Sequence, residues 1–180
     1  MEEEDTKDDA QPRATRSLLV LRAGGRLFAV YAEEAAGVAE AAAPVPLPHA
    51  PAAVLGVVSV RGRMYTLLDT AALLPGRDPN ADAHEGAPAE SRAESRAESR
   101  TESPRFAVAL RGDEQLALAA DEVEGPLELD AEADAAHASA PGPAPLRATL
   151  RRGDAPLHLL DPARLFETAM QGTERRRQRT

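Results

Sequence analysis

The four histidines, His49, His84, His137 and His158, are the side chains best suited to hold a metal or move a proton near neutral pH. They are scattered, and no two lie within five residues of each other, so no spacing brings a pair of ligands together. The chain has no cysteine, which excludes thiolate zinc sites, disulfides and cysteine nucleophiles. A serine nucleophile would sit in a G-x-S-x-G elbow, and Gly56 and Ser59 are spaced wrongly for one. Gly24-Gly25 is followed by the strand-like run RLFAVYA, which marks a turn and not a phosphate cradle at a helix start. The acid pairs Glu33-Glu34 and Asp121-Glu122 are chemically capable of acid–base work. Adjacent carboxylates on a surface segment are more often simply solvated. The expectation is a protein without catalytic residues, bound metal or cofactor.

Composition narrows the class. The chain has 180 residues, of which 43% are hydrophobic, enough for a packed core. Aromatic residues make up only 3% and Trp is absent, so Leu, Val and Ala must fill that core. The formal net charge of −9 argues against a nucleic-acid surface. No apolar run approaches the roughly 20 residues of a membrane span. The opening MEEEDTKDD is the opposite of a signal peptide's basic start, so a cytoplasmic location is expected.

Four stretches lack the pattern of packed structure. Residues 1–16 form an acidic tail. Residues 76–104 carry AESR three times, at 89–92, 93–96 and 97–100. On a helix this period would stack Glu90, Glu94 and Glu98 in one row and Arg92, Arg96 and Arg100 in another. Like charges at i,i+4 repel, and no apolar stripe offsets them, so a disordered, low-complexity insertion is expected. Residues 131–145 read as an Ala/Pro loop, and 171–180 as a basic tail with Arg175, Arg176, Arg177 and Arg179.

Two blocks remain, 17–75 and 105–170, and they repeat one plan. Each opens with two apolar runs around a glycine turn, at Gly24-Gly25 and at Arg111-Gly112. Each closes with a second hairpin, turning at Arg61-Gly62 or Arg152-Gly153-Asp154, and then a short helix. Asp69 or Thr70 can cap the first helix, and Asp161 followed by Pro162 suits the start of the second. Leu67-Leu68-Asp69 echoes Leu159-Leu160-Asp161, and Ala32-Glu33-Glu34 with Gly37 echoes Ala120-Asp121-Glu122 with Gly125. Hairpins are marginal alone. The pattern therefore predicts a mainly β fold of two small five-stranded barrels packed side by side, one from about 17–75 and one from about 105–170. A groove between them would be a docking site for a partner.

The succession of motifs resembles the CheW-like family, the coupling proteins of bacterial chemotaxis. PLPHAPAAVLGVVSVRG at 46–62 is similar to the family's Pro-rich turn, strand and Arg-Gly hairpin. AVYAEEAAGVAE is similar to its first strand end and a helix, here over 33–43, and RMYTLLDTAALL to the strand and helix that follow. LALAADEVEGPLEL and LRATLRRGDAPLHLLDPARLF resemble the elements of its second half. Ser59 stands where the family often has Asn, and His49 where Gly is common.

The resemblance implies an SH3-like double-barrel fold with no catalytic activity. It implies an adaptor that links the cytoplasmic tip of a methyl-accepting chemoreceptor to the regulatory domain of a CheA-type histidine kinase, with other CheW-like domains as further partners. No nucleic acid, cofactor or direct membrane insertion is implied. Arg61 matches the Arg that the family associates with receptor contact, and a planar guanidinium suits the carboxylates of a receptor helix. Arg61-Gly62 reads equally as a plain tight turn. Val57, Ser59 and Val38 are placed with Arg61 at the receptor groove; for Val57, Val58 and Val60, periodicity leaves groove and core open. The other reading is a divergent stand-alone CheW-like regulator that binds another signalling protein outside a receptor array.

Overall fold

The computed structural model describes residues 15–74, 104–112, 114–130 and 145–177, with side chains for all of them except Asp130 and 171–177. The AESR repeat, the Ala/Pro loop, most of the acidic tail, His84 and His137 lie outside the described residues. Among the described residues, ten strands follow one another: β1 Thr15–Ala23, β2 Arg26–Tyr31, β3 Ala35–Glu40, β4 Val54–Val60, β5 Arg63–Leu68, β6 Phe106–Leu110, β7 Leu116–Ala120, β8 Glu122–Asp130, β9 Leu146–Arg152 and β10 Ala155–Leu160. With them stand single 3-10 turns at Ala32–Glu34 and Thr70–Leu73 and an α-helix, α1, over Pro162–Arg177.

The strands form two five-stranded sheets. Sheet A has the order β8-β1-β2-β10-β9, and sheet B the order β3-β6-β7-β5-β4. Replacing each strand of the first half by its counterpart five strands later converts one order into the other. The internal repeat is thus real at the level of topology. In both sheets a first hairpin pairs in parallel with the closing strand of a second one, Leu157 beside Leu27 in sheet A and Leu67 beside Ala117 in sheet B.

The division into a 17–75 barrel and a 105–170 barrel is corrected by this order. β1 and β2 pair with β8 and β10, while β4 and β5 join β6 and β7. Each sheet takes one hairpin from each half. The physical reason is the crossover after the first hairpin. The turn at Ala32–Glu34 carries the chain out of sheet A, and Ala35–Glu40 then pairs with β6 of sheet B. The expected helix at 33–43 is corrected with it: one 3-10 turn is followed by a strand. The helix propensity of its Ala and Glu residues loses to six residues of antiparallel pairing.

Three apolar clusters account for the packing. Leu18, Val20, Tyr31, Leu157 and Leu159 belong to one buried cluster within sheet A. Val58, Val60, Tyr65, Leu67 and four alanines form another within sheet B. A third cluster lies at the seam between the sheets and includes Leu21, Phe28, Val30, Leu68, Val108, Leu118 and Leu160. Full burial of one such side chain contributes about 1.5–3 kcal/mol. Leu165 and Ala169 bring α1 onto the same seam. The helix starts where Asp161 accepts a hydrogen bond from the N–H of Ala163 at 3.2 Å, and it continues to Arg177, well into the stretch expected as a tail. Asp69 caps the turn at Thr70–Leu73 through the N–H of Ala72.

A polar clamp holds the crossover. The ring of buried Tyr31 lies under the guanidinium of Arg16, 3.3 Å from the ring centre, and beside that of Arg147 at 4.9 Å. Arg147 binds Glu34 at 3.0 Å and Asp161 at 3.3 Å, and Arg16 pairs with Glu33. Half-burial opposes the charge of Arg147, but Glu34, Asp161 and Tyr31 raise its pKa above the ordinary arginine value. The acid pair Glu33-Glu34 is thereby structural. So is Asp121-Glu122: Asp121 accepts from the N–H of Gly24 at 2.9 Å, and Glu122 pairs with Arg22.

Candidate protein-interaction surface

The second hairpin of the first half positions Arg61. Val60 faces Arg63 across β4 and β5, so the loop has two residues, Arg61 and Gly62. Their φ angles are 50° and 81°. Two consecutive left-handed residues match the primed turn that suits the twist of a hairpin. Glycine accepts this geometry freely, whereas for arginine it costs roughly 1–2 kcal/mol. An outlier of this kind is a reason to look for a use of its side chain. Arg61 is exposed, and it makes no hydrogen bond or ion pair with a described residue.

Its guanidinium rests against β3. A Cβ built on Gly37 would lie 3.2 Å from Cζ and Nε of Arg61. The next residue, Val38, pairs with Val108 and packs against the seam cluster. Val57 and Ser59 alternate with the inward-facing Val58 and Val60, so they point outward from β4. This settles which valines of the motif serve the core. The structure thus brings Arg61, Val57 and Ser59 onto one strand and its turn. Val38 is not brought to them: its side chain packs against the seam cluster, and it is its neighbour Gly37 that lies against Arg61.

Two neighbours enlarge this face, and sequence reasoning missed both. Val45, 64% exposed, bridges to Val57 by two hydrogen bonds of 2.9 and 2.8 Å. Met64, 53% exposed, stands opposite Ser59. Leu47, in the same Pro-rich loop, is 43% exposed. Gly56 makes the bridge feasible. A Cβ there would lie 2.8 Å from the carbonyl carbon of Val45 and closer still to its oxygen. The signal in the sequence was the alternation of Pro44, Val45, Pro46, Leu47 and Pro48, since prolines hold a loop extended and keep its apolar side chains in water.

Beside Arg61 the end of sheet B forms a recess of about 250 Å³, lined by Ala36, Arg63, Tyr65, Leu110, Arg111, Gly112 and Gln115. Sequence reasoning missed it as well, because its residues come from three separate strands and the turn after β6. Elsewhere, the two described histidines stand apart. His158, on β10, lies 5.7 Å from Phe28 and near Thr149; burial and then Arg26 lower its pKa below the ordinary value. His49 occupies a left-handed turn position in the exposed loop. Among the described residues, no group of three His, Asp or Glu side chains is placed to hold a metal ion.

With this geometry in view, the comparisons are decisive for the family. The model of the CheW-like domain matches residues 17–170. The chain belongs to the CheW-like family. Its fold is similar to the crystal structure of the scaffolding protein TtCheW from Thermoanaerobacter tengcongensis, with a TM-score of 0.59 and 14% sequence identity over 86% of this chain and 94% of that one. No curated protein sequence matches this chain. The sheets, the seam and the duplicated plan are therefore those of a CheW-like domain, within a family of scaffolds and adaptors. No helix among the described residues is long and apolar enough to cross a membrane.

Proposed function

We propose that this CheW-like protein is a non-enzymatic cytoplasmic adaptor that couples a chemoreceptor to a CheA-type histidine kinase. The face carrying Arg61, Val57 and Ser59 is the receptor contact, with Val38 supporting it from the seam. The observation that carries this reading is Arg61 itself, a guanidinium without a polar partner among the described residues, held in a left-handed turn beside the exposed Val45 and Met64 and the half-buried Val57. A receptor helix offers what such a face takes: an apolar stripe for the valines and methionine, and carboxylates for the guanidinium. Other CheW-like domains are candidate neighbours through the barrel ends.

The test is reconstitution. The full chain is mixed with the kinase and with the cytoplasmic tip of the receptor, and the complexes are separated by size. A three-component complex is expected. Binding to neither, with a different signalling protein captured instead, would move the chain to a stand-alone regulator.

A further inference from the structure

Cations are concentrated at one end of sheet B, although the chain carries a net charge of −9. Arg63 and Arg111 line the recess around Tyr65, and Arg61 lies next to it over Gly37. Arg61 and Arg63 form no hydrogen bond or ion pair with a described residue. Toward the described residues the Arg111 side chain donates its Nε to the carbonyl of Ala35 at 3.1 Å. Two carboxylates of the adjoining turn are engaged, Glu33 by Arg16 and Glu34 by Arg147. Glu114, on the turn between Gly112 and Gln115, is not among the lining residues, and Asp113 of that turn lies outside the described residues. Two guanidiniums lining a recess of about 250 Å³ together with Ala36, Tyr65 and Leu110, and a third, that of Arg61, against the neighbouring Gly37, form a site for carboxylate side chains on an extended peptide.

A ligand of that chemistry is tethered beside the site. Residues 2–9, EEEDTKDD, carry six carboxylates against Lys7. The described chain begins at Thr15, and Arg16 grips Glu33. The carbonyl of the next residue, Glu34, accepts the N–H of Arg111 at 2.7 Å. The root of the acidic segment and the rim of the recess therefore share the single turn Ala32–Glu34. Residues 10–14 join the segment to Thr15 and can extend roughly 3.3 Å each. A tether of this length holds its ligand at an effective concentration of about millimolar.

We infer that the recess of Arg63 and Arg111, with Arg61 at its edge, is a binding site for an acidic peptide segment, and that residues 2–9 of this chain are its resident occupant. The contact is made of exposed charges, so salt releases it. It does not depend on the receptor reading; where both hold, the acidic segment and the receptor compete for Arg61.

The test uses the full chain without partners. Because the chain lacks cysteine, Thr6→Cys accepts a single nitroxide label. At low salt the backbone amide signals of Arg63, Gly112 and Gln115 are expected to lose more than half their intensity to the label. They recover in about 0.5 M salt, where screening is nearly complete beyond a few ångströms. They also recover in the double variant Arg63→Glu, Arg111→Glu. Broadening that persists in the double variant would reflect proximity of the tether alone and would overturn the inference. So would the absence of broadening at these amides. A hexaglutamate peptide that shifts the recess signals while the label leaves them untouched would assign the site to a foreign acidic segment and likewise overturn residues 2–9 as occupant. A receptor-binding defect has no bearing on any of these signals, so the two readings fail separately.

Discussion

The guanidinium of Arg61 lies on the backbone of Gly37, so close that a single added carbon would stand 3.2 Å from it. The two residues belong to opposite edges in the order of sheet B, β3 and the end of β4. Gly37 thus provides the shelf on which the arginine rests, and it leaves the guanidinium without an internal carboxylate. Gly37→Ala is expected to displace the Arg61 side chain with little cost to folding, since the far end of a flexible side chain is what must move. Gly37→Glu would set a carboxylate against the guanidinium. Receptor binding should fall about tenfold or more in the Glu variant and less in the Ala variant, at nearly unchanged thermal midpoints. Unaltered binding in both would remove Arg61 from the contact.

Gly56 serves the opposite need, a close approach of backbone to backbone. Its φ of 144° and the carbonyl of Val45 both exclude a side chain. Gly56→Ala should cost about 2 kcal/mol or more, from conformational strain and loss of the Val45–Val57 bridge. Chemical denaturation measures the cost. A loss under about 0.5 kcal/mol, the usual range of neutral surface changes, would mean that the Pro-rich loop is not fixed to β4.

The clamp around Tyr31 should matter more than a surface ion pair. Arg147 is half-buried, and its removal leaves Glu34 and Asp161 facing each other without a counter-charge. Arg147→Ala is expected to lower stability by about 1.5–3 kcal/mol, the range for hydrogen bonds to charged groups. Glu33, exposed and paired with Arg16, is the comparison. Its carboxyl is held below the ordinary value chiefly by the Arg16 hydrogen bond, yet Glu33→Gln should cost less than about 1 kcal/mol. Equal losses from the two variants would contradict the clamp.

His158 gives a pH dependence of known sign. Burial and then Arg26 hold its folded pKa below the ordinary 6.5. The unfolded chain therefore binds the proton more readily in the window just below pH 6.5. Stability is fully present above that value and declines as the pH falls toward the folded pKa, by about 1.4 kcal/mol for each unit of separation. His158→Gln should flatten this segment of the stability curve. An unchanged slope between wild type and variant would assign the dependence to other groups.

The duplicated hairpins were legible because their signals are local: alternating apolar runs around Gly24-Gly25, Arg61-Gly62 and Arg111-Gly112. The exchange of hairpins between halves was not. It rests on pairings such as Ser17 with Glu128 and Leu157 with Leu27, which no short window contains. The segment 33–43 misled for the same reason. Ala and Glu favour a helix in isolation, and only β6, some seventy residues away, turns them into a strand. At the site, Arg61, Val57 and Ser59 could be read from one motif because one hairpin carries them. Gly37, Met64, Arg63 and Arg111 gain their roles from three-dimensional neighbours.

The most direct test of the adaptor account is to separate its two contacts with one substitution. Binding of the full chain to the receptor tip and to the CheA-type kinase is measured side by side for wild type and Arg61→Glu. The account predicts that the variant keeps its fold and its kinase affinity and loses receptor binding by tenfold or more, together with receptor control of the kinase. Receptor affinity equal to that of wild type, in a folded variant, would contradict it.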